Sequence, residues 1–353
     1  MTDAISTGQV AQAGQEQGRA MVREVLITKH GGPGVLAVRE RSSAPLSAGE
    51  IRLAVAACGV NFADVMARIG LYPDAPKPPC VIGYEVAGTV TEVGAGVEGF
   101  EPGQRVFAST KFGGYASEVV VPATQAVALP DRYSFEQGAA IPVNYATAWA
   151  GLVEYGNLKP GGRVLIHSAG GGVGIAATQI ARRIGAEVYG TASAGKHARI
   201  RELGVEHALD YRQAGWESGL PAFDVILDAV GGRSFRRSYG LLRSGGRLIA
   251  YGASSVVAGE RRNPVAALKA VATMPRFNMI KQTSESKAVI GLNMLALWKE
   301  HGSLRPWIEP LVEMMDDGTI APVIAASFSF EEAGAAHTMI VERRNIGKVT
   351  LTP

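Results

Sequence analysis

From Val22 onward the chain runs in short segments where apolar and polar residues alternate. Residues 24–28, 35–39 and 51–56 show it, the last with Ile51, Leu53 and Val55 on one side. A period of two predicts half-buried antiparallel strands. Residues 85–93, 104–108 and 116–121 continue the pattern across the glycine turns of VGAGVEGFEPGQRV, predicting a compact, mostly β domain that ends near Pro142.

Beyond Asn144 the period changes. Residues 164–166 form a short β-branched run entered through Lys159-Pro160-Gly161-Gly162. Val173, Ala177, Ile180 and Ile184 then recur at helical spacing opposite Thr178, Gln179, Arg182 and Arg183, and Gly185 stands where a helix stops. Strands are expected again at 187–191, 207–209, 223–228 and 247–251, with a helix at 196–203 closed by Gly204. This alternation predicts a doubly wound parallel sheet with its binding crevice at the carboxyl ends of the strands. Helical and strand-like apolar segments are expected over 265–298, an amphipathic helix over 307–315, a turn at Asp317-Gly318 and a last strand over 348–351.

Between the first strand of that alternation and its helix lies Ala169-Gly170-Gly171-Gly172-Val173-Gly174, an A-x-G-x-x-G variant of the dinucleotide fingerprint. Small residues there permit a tight turn, let backbone approach a pyrophosphate and allow the helix to pack closely, so amides at its N-terminus face the anion. A sheet that binds NAD carries an acidic residue about 20 positions further on, which accepts from the ribose hydroxyls. Here that stretch reads Thr191-Ala192-Ser193-Ala194-Gly195-Lys196, without Asp or Glu. Ser193 and Lys196 suit a 2′-phosphate that a carboxylate would repel, so NADPH is the expected cofactor, with Tyr211 and Arg199 as further candidates nearby.

Composition narrows the rest. A chain of 353 residues, 47% of them hydrophobic, can bury two cores, and a net charge of +3 without a basic stripe argues against nucleic acid as partner. Two cysteines, Cys58 and Cys80, make neither a disulfide framework nor a four-ligand zinc site. Residues 1–21 are polar and rich in Gln, Gly and Ala, which predicts a disordered extension rather than a signal peptide. No segment is apolar for long enough to span a bilayer, and a cytoplasmic setting is expected.

GVNFADVMARIGLY at 59–72, VIGYEVAGTVTEVGAGV at 81–97, SAGGGVGIAATQIAR at 168–182, TASAGKHARIRELGV with ALDYR, and the C-terminal GTIAPVIAASFSFEEAGAAHTMIVERRNIGKVTL resemble the medium-chain dehydrogenase/reductase superfamily, specifically its zinc-independent quinone oxidoreductase family. GERRNPVAALKA and VNYATAWAGLVEYGNLKPG look most like the branch of the vesicle amine transport protein homologues. The resemblance implies a GroES-like catalytic domain over 22–142 and 302–353, a Rossmann NADP-binding domain over 143–301, and a homodimer joined near 291–295. It also implies that Asn61 and Thr147 contact the nicotinamide side, that Asn345 closes over the cofactor, that Arg343 adds to the 2′-phosphate site, and that Tyr251, ending its strand, faces the cofactor.

Zinc enzymes of the superfamily carry a Cys ligand where this chain has Asn61 and a His ligand where it has Tyr84, and their four-cysteine lobe is missing. The six histidines show no ligand spacing, and His167 is expected to be packed rather than catalytic. Without a Lewis acid, hydride delivery suits acceptors already activated by conjugation: a quinone or an α,β-unsaturated carbonyl. Tyr72 is the candidate to polarise the acceptor oxygen or supply a proton, since a phenol is a competent donor beside a developing enolate; Asp64 could orient Asn61, or simply start a helix. An enoyl reductase acting on a thioester and a non-catalytic NADPH-binding protein remain as alternatives, with a zinc alcohol dehydrogenase third.

Overall fold

The computed structural model describes residues 20–257, 259–260, 265, 268 and 271–353. Strands β1 (Met21–Ile27), β2 (Leu36–Ser42), β3 (Glu50–Val60), β4 (Cys80–Val81), β5 (Glu85–Val93), β6 (Arg105–Ser109), β7 (Glu118–Pro122) and β8 (Ala126–Ala128) come first. Six more alternate with helices: β9 (Arg163–Ile166), β10 (Glu187–Ala192), β11 (His207–Asp210), β12 (Phe223–Asp228), β13 (Leu242–Ala250) and β14 (Ala288–Gly291). Two close the chain, β15 (Ile324–Ser329) and β16 (Lys348–Thr352).

The early strands pair antiparallel, as their alternation demands. They divide between a small sheet, β2-β1-β4, and a seven-stranded one ordered β15-β16-β3-β5-β6-β8, with β7 also on β3. Its core holds Ile51, Leu53, Val86, Val106 and Leu351, all fully buried. The C-terminal strand β16 lies antiparallel to β3, with Thr350 opposite Gly59, so the end of the chain rejoins its beginning.

The second large sheet is parallel throughout, in the order β11-β10-β9-β12-β13-β14. Both of its faces are covered, which accounts for the near-continuous apolar runs of β9 and β12. Strand order reverses at β9, and the crevice opens between the loops that follow β9 and β12.

Several expected boundaries shift. The extension expected over 1–21 falls, for 1–19, outside the described residues, while Met21 already pairs with Ser42. Strand β3 runs on to Val60, β13 begins at Leu242 and ends one residue before Tyr251, and the helix expected over 196–203 is a 3₁₀ turn at Ala194–Lys196 followed by His197–Glu202. Of the apolar segments expected over 265–298, residues 266–267 and 269–270 lie outside the described residues; the rest includes helices Met279–Glu285 and Met294–His301 flanking β14. The GERRNPVAALKA stretch is likewise described only at 259–260, 265 and 268.

Candidate active site

At the end of β9 the chain turns sharply and enters the Gly172–Ile184 helix. Ser168 takes a left-handed φ of 56°, and Gly171 N donates to its carbonyl at 2.9 Å. Ala169 is buried and donates to the Thr191 carbonyl at 3.0 Å, which ties the turn to β10. A Cβ on Gly174 would meet the Ser168 oxygen at 2.4 Å, and one on Gly172 the Asn144 amide at 2.4 Å. Close backbone approach therefore requires glycine at 174, and the Asn144 side chain packed against the turn requires it at 172. Gly171 and Val173 stay partly exposed at the helix start, and Gly185 ends the helix with φ 85°.

Beside this turn lies the C-terminal one. Gly347 N donates to the Gly170 carbonyl at 2.9 Å, and Lys196 Nζ donates to the carbonyls of Arg343 (2.7 Å) and Asn345 (2.6 Å). Burial, with Arg343 and Arg212 nearby, lowers the Lys196 ammonium from its ordinary value despite Tyr211. Burial alone would raise the Tyr211 phenol, yet hydrogen bonds from Arg343 and Arg212 bring it below its usual range. Lys196, Tyr211 and Arg343 thus converge on one spot. Ser193 leads into the 3₁₀ turn Ala194–Lys196, its carbonyl accepting from Lys196 N at 2.9 Å, whereas Arg199 pairs with Glu202 on the surface. The Asn345 amide is held within its own turn, donating to the Gly347 carbonyl at 2.9 Å.

A cavity of about 400 Å³ opens at the same carboxyl ends, between His167 and Ser168 after β9, Thr191 near the end of β10, and the Gly231–Ser234 turn after β12. Tyr211 and Arg343 line it together with Trp216, Arg233, Arg237 and Ser255. Trp216 Nε1 and Ser255 Oγ are buried there and lack a partner among the described residues. Its floor is rigid: Asp228 accepts from Ser234 and Ser238, and His167 bridges Thr191 (3.1 Å) and Ser238 (3.0 Å). Burial lowers the His167 imidazole despite Asp228, so the ring is neutral and packed. Tyr251 sits just past β13, packed against the core and outside this lining.

A second polar cluster is built around Asn61, at the start of the Phe62–Arg68 helix. Asn61 Nδ2 donates to Glu85 Oε1 at 2.9 Å, and its Oδ1 accepts from Lys348 Nζ at 2.7 Å. Lys348 also pairs directly with Glu85, and Glu85 Oε2 accepts from Val143 N at 2.7 Å. Both charged side chains are almost wholly buried. Asp64 Oδ2 accepts from Asn61 N at 2.7 Å, the helix-start role, with its carboxyl fully buried and pushed up to about 7 by burial. Thr147 is buried on the Pro142–Trp149 helix and donates back to the Val143 carbonyl at 2.6 Å.

Tyr72, Tyr84 and Phe112 form an aromatic group nearby, with Tyr72 edge-on to Tyr84 at 6.4 Å and Tyr84 5.2 Å from Phe112. Burial, with Asp74 and Asp64 close by, pushes the Tyr72 phenol up to about 12, so it keeps its proton at neutral pH. Among the described residues no group of three or more His, Cys, Asp or Glu side chains is placed to hold a metal ion, and no helix is long and apolar enough to cross a membrane.

The sequence reading missed Glu85 and Lys348, although both stood inside quoted motifs, Gly83-Tyr84-Glu85 and Gly347-Lys348. It also missed Trp216, Arg233 and Arg237. For the arginines the one local signal was the glycine pair that follows β12; Trp216 had none.

Residues 47–131 match the alcohol dehydrogenase GroES-like domain, and residues 203–351 match the family described as zinc-binding dehydrogenase. The human synaptic vesicle membrane protein VAT-1 homolog is 35% identical over 341 residues, covering 94% of this chain and 87% of that protein. The solved structure of the human VAT-1 homolog-like protein superposes with a TM-score of 0.81 at 32% identity, over 94% of this chain and 98% of that one. Escherichia coli quinone oxidoreductase, solved with NADPH, gives 0.80 at 29% identity over 95% and 100%. By these matches the chain belongs to the medium-chain dehydrogenase/reductase superfamily, in its zinc-independent quinone oxidoreductase family, together with the VAT-1 homologues.

Proposed function

We propose that this protein is an NADPH-dependent reductase that passes a hydride to a quinone or an α,β-unsaturated carbonyl compound. The observation that carries the reading is the meeting of Lys196, Tyr211 and Arg343 at the end of β10, where an NAD-binding sheet would present a carboxylate. Two cationic groups and a phenol suit a 2′-phosphate. The glycine turn fits the same cofactor, since it runs straight into the N-terminus of the Gly172–Ile184 helix, where free backbone amides favour an anion. The cavity past it, with Trp216 and Ser255 holding unspent polar atoms, is roomy enough for an adenosine moiety.

When bound, the reduced nicotinamide supplies the hydride, and the chain supplies binding and orientation. In this reading Asn61 and Thr147 contact the nicotinamide side of the cofactor. Tyr72, still protonated at neutral pH, donates a hydrogen bond to the acceptor oxygen as negative charge develops there. Hydride and proton together reduce the acceptor by two electrons, with solvent able to restore the proton.

The test is cofactor discrimination. NADPH should bind at least tenfold more tightly than NADH in a fluorescence titration, and Lys196→Ala should erase most of that preference, a loss of about 1.5–3 kcal/mol for a charged hydrogen bond. Equal affinity for the two cofactors in the wild type would overturn the assignment.

A further inference from the structure

Asn61, Glu85 and Lys348 come from three separated stretches of the chain and meet where solvent barely reaches. Glu85 is fully buried, Lys348 is 3% exposed, and Asn61 alone is partly exposed. Four elements converge on the trio: β5 brings Glu85, β16 brings Lys348, the Phe62–Arg68 helix begins at Asn61, and the Pro142–Trp149 helix offers Val143 N to Glu85 Oε2. A buried ion pair stabilises little by itself, because desolvation offsets the attraction. Its geometry is more informative than its energy.

Here the geometry fixes an amide. Lys348 has only donors, so the atom it meets on Asn61 is the oxygen; Glu85, as a carboxylate, meets the nitrogen. Each partner enforces the orientation the other requires. The backbone of Asn61 is pinned as well, its N donating to Asp64 and its carbonyl accepting from Asp64 N at 3.0 Å. One N–H of Nδ2 is left over, on the one member of the trio that is partly exposed. Room for this arrangement is provided by Gly59, where a Cβ would stand 2.6 Å from Glu85 Oε1 and 2.4 Å from the Ala139 carbonyl.

We propose that Lys348 and Glu85 are positioning residues for hydride transfer: they lock the Asn61 amide so that it presents a single N–H to the nicotinamide half of the cofactor. The proposal rests on the reductase reading given above. A role in folding alone makes a different prediction, because replacing both members of a buried pair with neutral residues removes the stability penalty of breaking it.

The experiment uses the full chain as wild type, Lys348→Met, Glu85→Gln, the double variant and Gly59→Ala. Melting temperature, NADPH affinity, and kcat and KM with 9,10-phenanthrenequinone are measured for each. Both single variants should lose stability and lose kcat by about 10- to 100-fold, the usual cost of a misplaced group. The double variant should regain the melting temperature without regaining kcat. Gly59→Ala, which changes no charge, should lower kcat in the same way. Recovery of kcat along with stability in the double variant, or an unchanged kcat in folded Lys348→Met, would overturn the proposal. Should the wild type turn over no acceptor, the reductase reading falls. The lock is then read from the fluorescence of bound NADPH, which must differ from wild type in the refolded double variant; an identical emission spectrum there overturns it.

Discussion

At the scale of single residues, the most informative group is Asp64. Its carboxyl accepts the Asn61 amide but is fully buried among Cys58, Tyr115 and Glu85, and burial holds its pKa near 7 against an ordinary 3.8. The folded protein therefore keeps a proton that the unfolded chain has already lost between those two values. Stability should fall as pH rises through this window, by up to about 1.4 kcal/mol per pH unit, and level off above it. Asp64→Asn retains an acceptor for Asn61 N and removes the titration. Its melting temperature should match the wild type near pH 4 and exceed it near pH 8. Parallel curves for the two proteins across that range would show that the carboxyl does not carry this burden. The residue scale is also where sequence reading reached least far. Asn61 was visible because its position is a zinc ligand in other branches, and Lys196 because an expected acid was missing. Glu85 and Lys348 gave no such signal, since a pair 263 positions apart becomes a pair only through the return of the last strand.

At the scale of elements, the central unit is two turns held against each other. The glycine turn after β9 was legible from local pattern alone: a β-branched run, a cluster of small residues and an amphipathic helix with Gly185 at its end. Its partner turn was placed only by resemblance, and nothing in Arg343-Arg344-Asn345 suggested that its carbonyls would receive Lys196. Gly347 joins the two, with a φ of 99° and the Val323 carbonyl 2.2 Å from where a Cβ would be. Gly347→Ala should accordingly cost about 1–3 kcal/mol of stability from backbone strain and weaken NADPH binding, while retaining the far-UV spectrum of the fold. Denaturant unfolding and a cofactor titration would check both, and wild-type values in either would remove this turn from the site. Other elements were hidden for ordinary reasons. The Pro142–Trp149 helix is rich in small residues whose burial on nearly every side leaves no amphipathic period. Strand β15, Ile-Ala-Ala-Ser-Phe-Ser, has too few apolar residues to show alternation and is recruited by its parallel partner β16.

At the scale of the whole molecule, the first third of the chain makes a small sheet and most of the seven-stranded one, the middle makes the parallel sheet, and the end returns to the seven-stranded sheet. The two large sheets could be anticipated from period alone, two in one and mixed strand and helix in the other. The return could not, because no spacing rule says where a terminal strand docks. That return gives the cleft its two sides: β16 delivers Lys348 to Glu85 and Asn61, and the turn before it delivers Arg343 to Lys196. The proposed function puts NADPH in that cleft and a conjugated acceptor beside it. The measurement that tests this most directly is NADPH consumption at 340 nm with 9,10-phenanthrenequinone, a long-chain enone and an enoyl thioester, with NADH as control. Turnover of the quinone or the enone with NADPH, and at least tenfold less with NADH, is the predicted result. Tight NADPH binding with no turnover of any acceptor would contradict the account and leave a protein that holds the cofactor without using it.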